Sequence, residues 1–232
     1  MNLTPFAQWL NTAFAEFDHA ILGFYHKLTQ SADPVLGPLS EFFAIAGDGA
    51  MAFFILAAIF LLFAKTRKAG LSIAFSIGFA SLVTNVTVKP LVARPRPYAS
   101  GVADFVAWWE FVGGHKHSEF SFPSGHTTSA MAAMLAVCLC FCVLCNDEGK
   151  KKRWWVWIPS MLCVLLMGAS RNYIMVHYPS DILGGILAGA VGAIAGTLFI
   201  HLFYKLLERN PESKLTKFVF DADIRRLPCK TR

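Results

Sequence analysis

Long runs of apolar residues dominate the chain between residues 49 and 204. A helix needs roughly 20 mostly apolar residues to cross a membrane. Five stretches reach or approach that length: residues 49–64, 69–88, 127–145, 154–169 and 182–204. Because lipid offers no water to satisfy backbone groups, we expect every one of them to be helical. The pattern predicts an all-α, polytopic membrane helix bundle with five transmembrane helices.

The N-terminal segment has a different pattern. Between Pro5 and Leu28 the apolar residues recur at helical spacing, which predicts a helix with one apolar face. Glu16 and Asp18 make a full crossing costly. We therefore interpret this segment as an amphipathic helix lying in the membrane interface; a sixth span is the alternative. The predicted organisation is an N-terminal interfacial segment at residues 1–48, a transmembrane domain at 49–204 and a basic tail at 205–232.

Composition agrees with a membrane protein. Hydrophobic residues make up 55% of the 232 positions, and charged residues only 16%, against about 25% in soluble domains. The length suits one domain. The net charge of +6 indicates orientation and contact with anionic lipid rather than nucleic acid. The six cysteines lack the paired spacing of a metal site and are interpreted as small apolar fillers.

Basic loops predict which way the chain faces. Short loops rich in lysine and arginine mark the cytoplasmic side of a membrane. Because successive spans alternate in direction, residues 65–68 and 150–153 lie on the same side as the tail. Residues 89–122 and 170–181 then face outward. The sequence predicts a multi-pass cell-membrane protein with a cytoplasmic C-terminus.

Three polar clusters occupy the predicted outward ends of the spans. They cover residues 89–97, 123–126 and 170–181. Helix ends on one face of a small bundle converge, so we expect the clusters to form a single site. Arg94 lies in the first cluster, but a basic residue at a span end is usually an anchor, and it is given no role in the site.

The basic residues of these clusters predict an anion as ligand. Lys89, Arg96 and Arg171 bring three positive charges to a low-dielectric boundary, which is costly without a counter-charge. Ser124 and Gly125 open the third span, and free N–H groups at a helix N-terminus bind phosphate. Glycine also lets the backbone approach closely. We therefore predict these five residues as phosphate ligands.

Two histidines and an aspartate predict the chemistry. His126 and His177 are the groups of these clusters that titrate near neutral pH. Asp181 follows His177 by four residues, a spacing that can bring its carboxylate onto the imidazole. One histidine can then attack phosphorus while the other protonates the leaving oxygen. The residues alone favour His177 as the nucleophile. Three cations supply the charge neutralisation that phosphoryl transfer needs, so neither metal nor cofactor is predicted.

The loop between the second and third spans offers two weaker signals. His115, His117 and Glu119 alternate along it, which can indicate a metal site, although exposed groups of this kind are more often solvated. Trp108 and Trp109 can anchor the loop in the interface, or act as a lid that guides a lipid tail.

The polar clusters resemble a known signature. Lys89-x6-Arg96-Pro97, followed by the run from Pro123 to His126, is similar to the first two motifs of the type 2 phosphatidic acid phosphatase superfamily. The third motif of that superfamily resembles Ser170-Arg171-x5-His177-x3-Asp181. The resemblance spans residues 89–181.

This resemblance implies roles for the matching positions. It implies that His177 is the nucleophile, Asp181 its partner and His126 the general acid. It also implies phosphate binding by Lys89, Arg96, Ser124, Gly125 and Arg171, in a core that needs no metal. The transmembrane domain would then be a phosphatase domain.

The expected activity is that of a membrane lipid phosphate phosphatase. Its substrate would be of the phosphatidic acid or phosphatidylglycerophosphate type, and its partners membrane lipids, with the site on the outer face. An undecaprenyl pyrophosphate phosphatase of lipid-carrier recycling is the first alternative. A phosphatase for a soluble sugar phosphate, a vanadate-dependent oxidase and a non-catalytic lipid-binding or transport protein are the others. The sequence leaves the exact lipid and the oligomeric state open.

Overall fold

The computed structural model describes residues 3–117, 120–144 and 153–221. Within these ranges the regular elements are helices: α1 (Pro5–Ala13), α2 (Ala15–Gly47), α3 (Met51–Leu61), α4 (Arg67–Ser81), α5 (Lys89–Val92), α6 (Ala103–Phe111), α7 (Gly125–Cys138), α8 (Trp157–Tyr173), α9 (Pro179–Glu208) and α10 (Lys214–Asp221). A π-helical segment, Leu82–Val88, joins α4 to α5, and another, Leu139–Val143, extends α7.

Five helical segments are long and apolar enough to cross a membrane. They are Ala15–Leu61, Arg67–Ala99, Gly125–Val143, Trp154–Tyr173 and Pro179–Glu208. The predicted all-α bundle with five membrane spans is therefore confirmed. The first segment is much longer than the predicted span at residues 49–64, because α2 joins α3 through a short kink.

Small residues allow the central helices to pack closely. Helices α4, α7 and α9 form the middle of the bundle, with α8 against α7, α3 against α4 and α2 against α8. A Cβ atom added at Gly189 would lie 2.5 Å from the Thr128 carbonyl oxygen, and one at Gly196 would lie 2.5 Å from the Ser76 amide nitrogen. The glycines of α9 thus pack inside the bundle, as small-residue stripes do in membranes.

The N-terminal region differs from the predicted single amphipathic helix. The chain bends at Phe14, where φ is −110° and ψ is 10°, so α1 ends at Ala13 and α2 begins at Ala15. The bend lets Ala7 and Leu10 pack against Val92, while α2 runs along α8. Asp18, which was predicted to make a full membrane crossing costly, is buried. The expected interfacial helix over residues 5–28 is therefore wrong in its boundaries.

A kink separates α2 from α3. Gly49 and Ala50 both adopt left-handed backbone conformations, with φ of 54° and 59°. Glycine accepts this conformation readily, but alanine pays a steric cost there. Strained residues of this kind tend to occur at functional sites, and this kink lies beside the cavity described below. The predicted boundary at residue 48 coincides with the kink.

The basic residues near residue 67 lie at the opposite end of α4 from Lys89. There the Arg67 guanidinium donates hydrogen bonds to the carbonyls of Phe218 and Val219 in α10. Of the predicted tail at 205–232, residues 222–232 lie outside the described residues. Residues 150–152 of the second basic run and the cysteines Cys145 and Cys229 also lie outside them.

We expect Gly196→Ala to destabilise the bundle, because its methyl group would collide with the Ser76 backbone, which cannot move aside cheaply. Overpacking of this kind costs about 1–3 kcal/mol. The matched control is Gly78→Ala in α4, where a Cβ would meet nothing within 4 Å. Thermal unfolding in detergent should show a lower midpoint for the first variant only; equal midpoints would contradict the packing described here.

Candidate active site

The ends of four helices surround one cavity. Its volume is about 380 Å³. The predicted site residues in its wall are Lys89, Arg96, Gly125, His126, Arg171 and His177. They come from the C-terminal end of the α4–α5 segment, the loop that follows it, the start of α7, the end of α8 and the loop before α9. The folded chain therefore brings these six residues together at one end of the bundle.

Two predicted site residues lie behind the cavity wall instead. The Ser124 side chain is buried and caps α7, where its Oγ accepts a hydrogen bond from the Thr127 hydroxyl at 3.1 Å. The Ser124 amide donates to the Asp181 carbonyl oxygen at 3.1 Å. Asp181 is also buried, in the first turn of α9. Ser124, predicted as a phosphate ligand, thus shapes the start of α7 without lining the cavity.

His177 stands between the cavity and Asp181. Its Nε2 lies 3.2 Å from Nη1 of Arg96. On the other side of the ring, Nδ1 lies 3.4 Å from Oδ2 of Asp181. That distance is longer than a good hydrogen bond, and contacts between catalytic groups often shorten only when a substrate is bound. The ring is only 2% exposed.

The surroundings of His177 keep its imidazole neutral. Burial lowers its pKa well below 6.5, and the nearby charges of Arg96, Arg171 and Lys89 lower it further. A group with a lowered pKa loses its proton before the pH rises to neutrality, so at pH 7 the imidazole carries no charge. A neutral ring nitrogen keeps the lone pair that nucleophilic attack requires.

His126 is held by the N-terminal region. Its Nε2 lies 3.0 Å from the Ala44 carbonyl oxygen, an acceptor, so Nε2 is the ring nitrogen that carries the proton. Gly47 makes room for the ring, since a Cβ there would lie 2.6 Å from Cδ2 of His126. The region that was predicted to lie apart from the transmembrane domain therefore positions a site histidine.

The cations of the cavity are buried. Arg171 is 1% exposed; its Nη2 lies 3.2 Å from Nε2 of His117, and its Nε has no hydrogen-bond partner among the described residues. Lys89 is also buried, and its Nζ would lie 3.6 Å from a Cβ at Gly125. Buried positive charge needs a counter-charge, and free amides at the start of α7 add to its attraction for an anion.

Several residues of the cavity wall lie outside the predicted site, among them Asn85, Asp48 and His117. Asn85 precedes Lys89 by four residues, so helical periodicity could have placed it on the same face. His117 appeared only as a metal-ligand candidate. Burial and the charges of Arg171 and Arg96 lower its pKa to about 4, so it is neutral at pH 7 and can accept a hydrogen bond from Arg171.

The metal alternative has no support in the described part of the chain. There, no three histidine, cysteine, aspartate or glutamate side chains come close enough to hold a metal ion. Glu119 lies outside the described residues.

Trp109, considered as an anchor or lid, is buried against Tyr98 and donates to the His115 carbonyl at 2.9 Å. The Trp109 side chain therefore packs against the loop to which it belongs.

Arg94, which was given no role, is the largest correction. It is buried, at 1% exposure, and therefore does not anchor the loop at a membrane surface. Its Nη1 donates to Oδ1 of Asp181 at 2.7 Å, and its Nη2 to Oδ2 of Asp18 at 2.9 Å. Its guanidinium also lies over the Tyr178 ring, 3.8 Å from the ring centre. A buried charge demands partners, but the sequence does not show that Asp18 is one of them.

Comparison with known proteins shows the family to which the chain belongs. Residues 69–209 match the PAP2 superfamily, and the chain belongs to that family. It is 32% identical over 141 residues to a lipid A 4'-phosphatase of Bacteroides thetaiotaomicron, a match that covers 60% of this chain and 55% of that protein. The chain thus spans about half the length of the lipid A 4'-phosphatases that it matches.

Two further relatives complete the comparison. The chain is 30% identical over 153 residues to the undecaprenyl-diphosphatase BcrC of Bacillus subtilis, which covers 66% of each protein. Its fold is similar to the crystal structure of a transmembrane PAP2-type phosphatidylglycerolphosphate phosphatase from Bacillus subtilis. That likeness has a TM-score of 0.62 and 23% identity, and it covers 85% of this chain and 91% of that one. The multi-pass membrane architecture is shared.

We expect His177 to titrate well below pH 6.5 in the phosphate-free protein, because burial and three cations disfavour its charged form. Nitrogen-15 NMR of histidine-labelled protein in micelles would measure this, with His177→Gln identifying the signal. Adding vanadate should raise the pKa, since a bound anion offsets the cations. A midpoint at or above 6.5 without the anion would contradict the described environment.

Proposed function

We propose that this protein is a membrane lipid phosphate phosphatase, which removes the terminal phosphate of a phosphorylated lipid through a phosphohistidine intermediate. One observation carries the proposal: the neutral imidazole of His177 lines a cavity together with buried Lys89, Arg96 and Arg171, and a carboxylate lies behind it. The cations suit a phosphate group, and the histidine suits attack on it.

In the first step, the terminal phosphate lies among the three cations and the free amides of α7. Nε2 of His177 attacks phosphorus as the bond to the leaving oxygen breaks. His126 enters this step as the imidazolium, and the proton on its Nδ1 neutralises that oxygen. The result is a phosphohistidine, in which Asp181 offsets the positive charge on the ring. Phosphoryl transfer depends mainly on positioning and charge stabilisation, and the fixed cations supply both.

In the second step, His126 accepts a proton from water, the water oxygen attacks phosphorus, and the bond from phosphorus to Nε2 breaks. Inorganic phosphate and free His177 are restored. Because the Ala44 carbonyl holds Nε2 of His126 as a donor, Nδ1 is the nitrogen that gives and takes the proton. The roles of His126, His177 and Asp181 as catalytic residues, and of the cations as phosphate ligands, are part of this proposal.

A lipid substrate is supported by the family and by the position of the cavity. The named relatives are phosphatases of lipid A and of undecaprenyl diphosphate, and the cavity lies at the ends of membrane-spanning helices. We favour a phosphomonoester of the phosphatidic acid or phosphatidylglycerophosphate type. Undecaprenyl pyrophosphate is the second candidate, supported by the similarity to the Bacillus subtilis diphosphatase.

The same proposal includes the orientation of the protein. The cavity lies at one end of α4 and the basic residues 65–68 at its other end. Basic loops stay on the cytoplasmic side, so the site faces away from the cytoplasm.

A purely lipid-binding protein would need the cations, but not two histidines of which one is backed by an aspartate.

The experiment is phosphate release by the purified protein in detergent with EDTA present. We would compare phosphatidic acid, phosphatidylglycerophosphate, undecaprenyl pyrophosphate and glucose-6-phosphate. His177→Ala should lower release on the order of 1,000-fold or more, because it removes the nucleophile. His201→Ala is the matched control: His201 lies in α9 beside Lys68, at the end of the bundle opposite the cavity.

The outcomes separate the alternatives. Release from a lipid that resists EDTA and is lost only in His177→Ala supports the proposal and ranks the substrates. Preference for glucose-6-phosphate would point to a soluble substrate instead. Release that persists in His177→Ala, or that requires metal, would overturn the histidine mechanism. No release from any of the four substrates would favour a binding protein.

We also expect Gly47→Ala to lower kcat. The added methyl carbon would lie 2.6 Å from Cδ2 of His126, so the ring would have to move from its position. Displacing a catalytic group by about 1 Å costs up to roughly 100-fold, and a loss of about 10- to 100-fold is expected here. Steady-state kinetics would measure it, with Gly78→Ala as the control. An unchanged kcat would show that the ring accommodates the methyl group without consequence.

A further inference from the structure

A buried polar cluster lies behind Asp181, on the side away from the cavity. It consists of Asp18 from α2, Arg94 from the loop after α5, and Ser180 and Asp181 from the first turn of α9. Each of these four residues is at most 3% exposed. Residues buried this deeply in a membrane bundle cost free energy unless they are fully paired, so the cluster calls for an explanation.

We propose that Asp18 and Arg94 are positioning residues for the phosphoryl transfer, acting on His177 through Asp181. This inference rests on the proposed phosphohistidine chemistry. Asp18 also lies outside residues 69–209, the part that matches the family. The N-terminal helices would thus complete the catalytic centre.

The carboxylate of Asp181 is held by hydrogen bonds to both of its oxygens. Its Oδ1 accepts a hydrogen bond from Nη1 of Arg94 at 2.7 Å. Its Oδ2 accepts one from the Tyr178 amide at 2.9 Å, and the same oxygen faces Nδ1 of His177. Arg94 therefore determines how the carboxylate is rotated, and that rotation decides whether Oδ2 points at the imidazole.

Asp18 binds both Arg94 and the first turn of α9. Oδ1 of Asp18 accepts a hydrogen bond from the Ser180 amide at 2.8 Å. Oδ2 accepts from the Ser180 hydroxyl at 2.7 Å and from Nη2 of Arg94 at 2.9 Å. A carboxylate at a helix N-terminus is favourable, and this one comes from another helix. Asp18 thus fixes the start of α9, the turn that carries Asp181, against α2.

The ion pairs of the cluster carry an excess of negative charge. Asp18 and Asp181 bring two negative charges against the single positive charge of Arg94. A cluster that served stability alone would be better balanced. The excess negative charge faces the ring of His177, which becomes positive when its Nε2 bonds to phosphorus. Charge placed in advance where the reaction develops its opposite accelerates the reaction.

None of Asp18, Arg94 and Asp181 lines the 380 Å³ cavity. Loss of their contacts should therefore lower kcat and leave KM nearly unchanged, since interactions made only in the transition state appear in kcat. For Asp18→Asn, which keeps the shape but removes the charge, we expect kcat to fall about 10- to 100-fold and KM to change by less than about threefold.

The test is a double-mutant cycle on kcat with Asp18→Asn, Asp181→Asn and both together. If Asp18 acts through Asp181, its substitution should have little further effect once Asp181 is changed, because coupled residues are not additive. Additive losses would overturn the inference. The matched control is Asp33→Asn: Asp33 also lies in α2 and accepts a hydrogen bond from the Tyr173 hydroxyl of α8 at 2.9 Å, far along the helix from Asp18. Its kcat should stay at the wild-type value.

Arg94 provides a second test that survives poor folding of Asp18→Asn. We expect Arg94→Lys, which keeps the charge, to retain at least about tenfold more kcat than Arg94→Gln at equal amounts of folded protein. Equal kcat for the two variants would contradict the proposal. If the wild-type protein releases no phosphate from any substrate, the proposed function fails; if it is active and Asp18→Asn is unaffected, only this inference fails.

Discussion

The structure depends on how buried positive charge is compensated. Four basic side chains lie buried at one end of a helix bundle whose other surroundings are apolar: Lys89, Arg94, Arg96 and Arg171. Arg94 has carboxylates of the protein as partners. The other three line a cavity, where the proposed phosphate would add negative charge. The free-energy cost of burying charge in a low-dielectric medium thus accounts for the Arg94 cluster on one side of His177 and for the candidate phosphate site on the other.

Close packing of α9 against α7 brings the buried cluster and the cavity next to each other. Gly185 in α9 lies so near α7 that a Cβ there would be 2.8 Å from the Ser124 carbonyl oxygen. The starts of α7 and α9 therefore touch, and the Ser124 amide reaches the Asp181 carbonyl. Ser124 and Gly125 are neighbours in sequence, but their places differ: one supports the helix start and the other lines the cavity. The contact holds the start of α7 against the start of α9.

Much of this could be predicted from the chain itself. The apolar runs are long enough to require membrane helices. The polar residues at their ends lie a few positions apart in the sequence, so they remain close together in the folded chain. His177 lies four positions before Asp181, just ahead of the first turn of α9, so their proximity follows from the sequence. Alternation of the spans then places the ends of α4 and α8 and the starts of α7 and α9 at one end of the bundle, where the structure has them.

The sequence by itself determined the helices, their approximate ends and the local constellation of histidines, aspartate and cations, because those depend on periodicity and on neighbours a few residues apart. Tertiary structure decided the bend at Phe14, the place of Ser124 behind the cavity, and the burial of Asp18 and Arg94. Those two residues are 76 positions apart. A local pattern shows the cost of burying each charge alone; only the folded chain supplies the partner that offsets it.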